Sequence, residues 1–321
     1  MTGIVTFDDD AVHRAADILQ RGGLVAIPTE TVYGLAADAT HGEGVAGIFA
    51  AKGRPQFNPL IAHVADLAMA ERYVTFDPVS RALAEKFWPG PLTLVLPLKE
   101  KSLIHPLVTA GLGTLAVRMP KGRVRDVIKV LDHPVAAPSA NTSGRISPTN
   151  AKAVADDLGD KIDLILDAGP CGVGVESTIV KAEGDTVRLL RPGGLAAEEI
   201  ETFLGHRLKR VSQSAAIQAH IIAPGMMESH YAPDAAMRLA VGDVKPGEAL
   251  LAFGPTRVAG EPGAVLNLSA TGDLREAAAN LFDFMRRLDA TGAATIAVEP
   301  IPFEGLGEAI NDRLKRAAAP R

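Results

Sequence analysis

Lys52-Gly53-Arg54-Pro55 places two cations two residues apart, and Asn58-Pro59-Leu60 closes the same stretch. Glycine and the prolines rule out a regular helix there and shape a fixed loop. A lysine point charge beside an arginine fork suits a polyphosphate, although the same cations would also suit a solvated surface turn. Pro138-Ser139-Ala140-Asn141-Thr142-Ser143-Gly144 follows an apolar stretch and runs through Ser147 and Pro148 to Thr149. This segment is rich in hydroxyls and leads into a helical stretch, whose N-terminus favours an anion. An ordinary capping loop would have the same composition. Glu176-Ser177-Thr178-Ile179-Val180 opens a strand with small hydroxyls, and Pro28-Thr29-Glu30-Thr31-Val32-Tyr33-Gly34-Leu35 is a polar loop after a short apolar run. Each of the last two is weak alone, because Thr and Ile are simply good strand formers and Glu30 would serve as well in solvent.

Several chemistries are excluded. The chain has no G-x-x-x-x-G-K-[ST] phosphate loop and no H-E-x-x-H pair. It has no G-x-S-x-G elbow, and its eight histidines show no metal-ligand spacing. One cysteine, Cys171, permits neither an internal disulfide nor a cysteine-based zinc site. The net charge of −5 lacks the basic surplus of a protein that grips nucleic acid through its phosphates. The N-terminal Met1–Asp10 carries no cationic region followed by an apolar run, and no apolar stretch is long enough to span a bilayer. A cytoplasmic location is therefore expected.

The elements that must position these residues are short. Asp8–Asp10 can cap a helix whose apolar face is Val12, Ala15, Ala16 and Leu19. The spacing predicts strands at Leu24–Ile27, Pro91–Leu98, Leu115–Arg118, Val135–Ala137, Leu164–Leu166, Ser177–Lys181 and Val187–Leu190. It predicts helices at Val79–Phe87, Val124–Leu131 and Thr149–Leu158, the last opened by Ser147 as N-cap with Pro148 in its first turn. Such alternation argues for α/β layers. Lys209–Ala223 breaks the pattern and runs through Pro224–Gly225 to Ser229-His230-Tyr231-Ala232-Pro233, which reads as a linker. Strands at Ala249–Phe253, Val265–Leu268 and Thr295–Val298, an amphipathic helix over Asp273–Ala290 and a closing helix over Gly307–Ala318 make a second, small βαβ-type unit.

Taken together, and in order, P-T-E-T-V-Y-G-L, K-G-R-P-x-x-N-P-L, P-S-A-N-x-S-G and E-S-T-I-V resemble the YrdC-like domain of threonylcarbamoyl-AMP synthases. F-W-P-G-P-L-T (Phe87–Thr93), A-V-R-M-P (Ala116–Pro120) and L-R-P-G (Leu190–Gly193) extend the match over about the first 200 residues. H-Y-A-P (His230–Pro233) and G-L-G-E-A-I-N-D-R-L-K-R-A-A (Gly305–Ala318) resemble the linker and extra domain of the family's longer form. The resemblance implies an α/β fold in which a YrdC-like twisted mixed-sheet domain is joined by a linker to a small Rossmann-like α/β domain. Residues 1–206 would be the catalytic domain, 207–236 the linker and 237–321 the C-terminal domain.

The same resemblance implies the chemistry: L-threonine, bicarbonate and ATP condense to an adenylate, releasing pyrophosphate. Lys52 and Arg54 would be the catalytic cations, and Arg54, Asn58, Thr114, Ser139, Asn141, Ser147, Arg191 and Tyr231 would bind ATP. Thr31, His63, Arg118 and Ser177 would bind threonine, with Arg118 on its carboxylate. His63 could equally be a packed structural histidine, and Tyr231 could simply pack the linker. Mg2+ is expected through the ATP phosphates rather than on side chains. The product would pass to a tRNA threonylcarbamoyl-transferring complex, without stable nucleic-acid binding by this chain. Met226-Met227-Glu228-Ser229 departs from the basic residues that often precede H-Y-A-P in the family, which puts a phosphate contact there in doubt. A non-catalytic RNA-binding module is the main alternative, and few aromatics are present for base stacking. A carbamoyl-transferring maturation enzyme would need cysteine-rich zinc modules that Cys171 alone cannot build.

Overall fold

Short apolar runs separated by helices fold here into two sheets, in a computed structural model that describes residues 3–210 and 230–320. The larger sheet is built from β1 (Gly3–Thr6), β2 (Val25–Ile27), β3 (Gly34–Asp38), β4 (Ile61–His63), β5 (Leu92–Pro97), β6 (Thr114–Arg118), β7 (Val135–Ala136), β8 (Leu164–Asp167), β9 (Thr178–Glu183), β10 (Thr186–Arg191) and β11 (Lys209–Arg210). Their order is β1-β8-β2-β3-β7-β4-β6-β5-β9-β10-β11. The sheet is mixed: β4 and β6 run parallel, while β7 is antiparallel to β4 and β5 to β6. The smaller sheet, β12 (Ala236–Arg238), β13 (Ala249–Ala252), β14 (Ala264–Asn267) and β15 (Thr295–Val298), is parallel throughout in the order β12-β15-β13-β14. The expected fold class is therefore the observed one.

Local chemistry explains the boundaries. Asp8 caps the helix Asp9–Gln20 by accepting from the Ala11 N–H at 2.9 Å, and Val12, Ala15, Ala16 and Leu19 are buried. Asp273 caps the amphipathic helix Leu274–Asp289, which buries Leu281, Phe282, Met285 and Leu288. One expected cap is corrected. The helix after the hydroxyl-rich loop is Ala151–Leu158, and its cap is Asn150, which accepts from the Ala153 N–H at 2.9 Å. Ser147 lies outside it and bonds elsewhere. The Pro28–Leu35 loop is also shorter than expected, because Gly34 and Leu35 begin β3 and are buried there.

The smaller sheet does not own its core. Val32, Ile146, Val175 and Tyr231, from loops beside the larger sheet and the segment after it, pack with Leu281, Phe282 and Met285. The expected linker falls largely on residues 211–229, outside the described residues. Among the described residues no helix is long and apolar enough to cross a membrane.

Candidate active site

Backbone pairing brings the four polar loops together. Leu35 donates to Pro138 O at 2.7 Å, Ala140 to Tyr33 O at 2.8 Å and Ser143 to Lys52 O at 2.8 Å. Gly174 donates to Thr31 O at 3.1 Å, and Ala232 of the H-Y-A-P segment donates to Gly144 O at 2.8 Å. The L-R-P-G turn is glycine for a steric reason: a Cβ on Gly193 would lie 2.3 Å from Glu176 O. The loops enclose a cavity of about 50 Å³ lined by, among others, Thr31, Arg54, His63, Arg118, Ser139, Glu176, Ser177, Arg191, His230 and Tyr231.

One side of this cavity is lined by Thr31, His63, Arg118 and Ser177. β4 and β6 pair in parallel with His63 abreast of Arg118. The Arg118 guanidinium donates to Thr31 Oγ1 at 2.9 Å and Gly90 O at 3.1 Å, and its Nη2 faces Glu30 Oε2 at 2.7 Å. Ser177 Oγ shares a hydrogen bond with Thr93 Oγ1 at 2.7 Å. The ring of His63 is buried, and its Nδ1 has no hydrogen-bond partner. Burial, reinforced by the Arg118 charge, lowers its pKa to about 3, so His63 is neutral.

The other half is cationic. Arg54 donates to Asn58 O at 3.3 Å and Pro59 O at 2.9 Å. Arg191 donates through Nη2 to Ser177 O at 2.8 Å and Ser177 Oγ at 3.2 Å. Burial lowers both guanidinium pKa values to about 10, which leaves them charged at neutral pH. Tyr231 is 1% exposed and adopts φ 65°, a left-handed conformation rare for a tyrosine, so its backbone is held there by its surroundings.

The expected residues divide into three groups. Thr31, Arg54, His63, Arg118, Ser139, Ser177, Arg191 and Tyr231 line the one cavity. Lys52, Asn58, Asn141 and Ser147 stand behind it. The Lys52 ammonium donates to Ser139 O at 2.5 Å and to Asn141 O, so it clamps the hydroxyl-rich loop rather than facing the cavity. Asn141 Nδ2 donates to Thr142 O at 2.8 Å and Arg145 O at 2.9 Å, and Ser147 Oγ to Glu176 Oε1 at 2.6 Å. Thr114 is apart from both groups: it begins β6, four residues before Arg118, or about 13 Å along a strand.

Glu176, Thr29, His230 and Arg313 carry weight at the site, although the motifs alone assign them no role. Burial would raise the Glu176 pKa, but Arg313, Arg191 and the Ser147 hydroxyl hold it down to about 2. Thr29 Oγ1 shares a 2.8 Å hydrogen bond with Thr31 Oγ1. His230 and Tyr231 meet edge to face, 4.0 Å between ring centroids. Glu176, Thr29 and His230 stand inside visible motifs; what the sequence does not display is their burial and their partners. Arg313 comes from the other end of the chain.

Comparison with known proteins finds relatives over the length of the chain. Residues 17–193 match a family model described as "Telomere recombination", covering the Sua5, YciO and YrdC proteins, and residues 195–319 match one described as "Threonylcarbamoyl-AMP synthase, C-terminal domain". The threonylcarbamoyl-AMP synthase of Bacillus subtilis is 40% identical over 338 residues, spanning 100% of this chain and 96% of the relative. That of Schizosaccharomyces pombe is 39% identical, spanning 96% and 88%. The crystal structure of P. abyssi Sua5 complexed with L-threonine superposes with a TM-score of 0.88 at 37% identity, covering 99% of this chain and 97% of that one. The fold thus defines a two-part YrdC-like protein, of the class that joins a large mixed sheet to a small parallel α/β unit. Within that class the chain belongs to the threonylcarbamoyl-AMP synthase family, in its long form. It is an enzyme of adenylating, nucleotidyltransferase type.

Proposed function

We propose that this chain condenses L-threonine, bicarbonate or carbon dioxide, and ATP into threonylcarbamoyl-AMP and pyrophosphate, in the cavity between β4, β6 and the polar loops. One observation carries the assignment of residues: a polar corner around Arg118 shares a cavity with two buried arginines, Arg54 and Arg191.

Arg118 would take the threonine carboxylate, displacing Glu30 from its 2.7 Å contact. Neutral His63 and the hydroxyls of Thr31 and Ser177 would meet the threonine hydroxyl and amine. The free amine forms a C–N bond to the carbon of bicarbonate, with loss of water, or to that of carbon dioxide, with loss of a proton to solvent, and either gives a carbamate. The carbamate oxygen attacks the α-phosphorus of ATP, the bond to the β-phosphate oxygen breaks, and pyrophosphate leaves with that electron pair. An anion is attacking a polyanion, so the cost is electrostatic, and Arg54 and Arg191 are pre-organised to offset it. Lys52 supports them by fixing the loop that bears Ser139. Binding both substrates side by side supplies orientation.

A cavity of about 50 Å³ is well below the roughly 300–1,000 Å³ of typical small-molecule sites. ATP therefore requires Tyr231 and His230 to give way, and their return would shield the water-labile carbamate. Among the described residues no group of three His, Cys, Asp or Glu could hold a metal, and the Glu176 carboxylate is already bonded by Arg313 and Ser147. These residues do not fit a resident ion; Mg2+ would enter on the ATP phosphates, and no step is assigned to it. On this reading residues 1–206 are catalytic, 207–236 connect, 237–321 form the C-terminal domain, and the enzyme acts in the cytoplasm. Its product is a labile mixed anhydride, suited to prompt use by a tRNA threonylcarbamoyl-transferring complex.

Incubating the protein with threonine, bicarbonate and ATP should yield the adenylate by mass spectrometry, with none formed when any one component is omitted. ATP turnover independent of threonine, with no adenylate, would overturn the assignment.

A further inference from the structure

Arg313 heads the largest fully buried side chains among the described residues, yet its hydrogen bonds do not serve the small sheet beside which it lies. Its helix, Leu306–Ala317, packs with the smaller unit. Its guanidinium crosses the seam: Nε donates to Glu176 Oε2 at 2.8 Å and Nη1 to Pro192 O at 3.0 Å. Nη1 also donates to Asp312 Oδ2 at 2.6 Å. The group lies over the Tyr231 ring, 5.3 Å from its centroid, and Nη2 has no hydrogen-bond partner in the protein. The other carboxylate oxygen of Glu176 takes the Ser147 hydroxyl, and Tyr231 also stacks on Phe282 of the helix Leu274–Asp289, 5.4 Å between centroids. A chain of contacts therefore runs from the C-terminal helix through Arg313 to Glu176 and Tyr231, both of which line the cavity.

A buried ion pair is a poor source of stability, because desolvation cancels much of the attraction, and apolar replacements are often as stable. A positional role accounts better for a guanidinium at this place. Building on the function proposed above, we infer that Arg313 is a positioning residue for the nucleotide half of the site: it orients Glu176 and Tyr231, so that the C-terminal helix completes the cleft. The electrostatics agree. Burial alone would push the Glu176 pKa up, and Arg313 is the first of the groups that hold it down. The other charged or titratable groups facing Glu176 are Arg191 on β10, Lys52, and His230 and Tyr231. Asp312 faces Arg313 on the same helix.

The test uses the full-length chain and the variants Arg313→Met, Arg313→Lys, Glu176→Gln and the double variant Arg313→Met/Glu176→Gln. Glu308→Gln is the control: it breaks the Arg210–Glu308 pair, 2.8 and 3.0 Å, which ties the same helix to β11 away from the cavity. KM and kcat for ATP and for threonine are measured from pH 5 to 9, with thermal melting of each variant. Arg313→Met should raise the KM for ATP at least tenfold, leave that for threonine within twofold, and add an acid limb as Glu176 begins to take a proton. Arg313→Lys should recover part of the loss, and the double variant should be no worse than Arg313→Met. Glu308→Gln should lower Tm without moving either KM. Equal effects of Arg313→Met on both substrates, additive effects in the double variant, or the same kinetic defect in Glu308→Gln would overturn the inference. Should Arg313→Met fold poorly, wild-type KM for ATP in both Arg313→Lys and Glu176→Gln would overturn it as well. Loss of the functional reading is separate, since then the wild-type chain itself would form no adenylate.

Discussion

Two neutral histidines, His63 and His230, line the cavity, and both make the protein sensitive to mild acid. Burial lowers the pKa of His63 to about 3, helped by Arg118. Burial likewise lowers that of His230 to about 3; Glu176 opposes the shift, while Lys52, Arg54 and Arg313 add to it. Below the unfolded value of roughly 6.5 the unfolded chain binds protons that the folded chain refuses, so stability is lost as pH falls from there toward 3. At pH 5 each histidine should cost about 2 kcal/mol. Glu176 acts later: its depressed pKa preserves its contribution down to the ordinary carboxylate range, and that contribution fades only as pH falls from there toward about 2. The melting temperature should therefore drop between pH 7.5 and pH 5, and drop less in His63→Gln and His230→Gln. A flat profile in the wild-type chain would contradict neutral burial of these rings.

At the scale of elements, the site depends on how one helix end meets one loop. The helix Gly42–Lys52 ends in Gly53, in the left-handed conformation that glycine favours, and this delivers Lys52 inward at its last position. Its ammonium reaches the carbonyls of Ser139 and Asn141, while its own carbonyl accepts from Ser143. Burial and the Arg54 charge pull the Lys52 pKa well below its ordinary value, while Asp157 and Glu176 oppose the shift. Lys52→Ala removes the donor and takes from the buried Asn141 O its bond, at roughly 1–3 kcal/mol, while Ser139 O keeps the Asn141 N–H at 3.0 Å. The expected outcome is a lowered Tm together with a severe loss of adenylate formation. Loss of activity with unchanged melting would mean that Lys52 acts on the phosphates directly and not through the loop.

For the molecule as a whole, the seam between the two sheets decides whether the cleft has walls. Gly174 sits in that seam at φ +78°, and a Cβ there would lie 2.2 Å from Ala278 O in the helix Leu274–Asp289. Its own N–H bonds Thr31 O, on the residue whose hydroxyl meets Arg118. Arg286 Nη2 bonds Ile146 O at 2.8 Å across the same seam. Gly174→Ala combines an unfavourable backbone conformation, about 1–2 kcal/mol, with a backbone clash that must part the two units. Tm should fall by several degrees, and the KM for threonine should rise. Melting within a degree of wild type would show that the seam yields without consequence.

Much of this arrangement is legible in the order of residues. Hydrophobic periodicity places the helices Val124–Leu131 and Leu274–Asp289 and the strand Thr295–Val298 to within a residue, because burying one face requires that spacing. The four motifs mark the loops that form the cavity, since glycine, proline and hydroxyl residues record local backbone demands. Partners distant in sequence leave no such record. Ser147 reads as a cap because serine before proline suits one, but a buried carboxylate 29 positions away claims its hydroxyl. Lys52 reads as a phosphate ligand, and only the fold shows two carbonyls holding it. Arg313 stands in a recognisable segment without a role, because nothing local says that it will cross 137 positions to meet Glu176. Sequence alone marked the polar loops and many of the helices and strands, as these depend on neighbours a few residues apart, although the helix Gly42–Lys52 and the strand Ile61–His63 escaped it. Tertiary structure alone decided which charges are buried together, because desolvation and pairing arise only once distant segments close around one space.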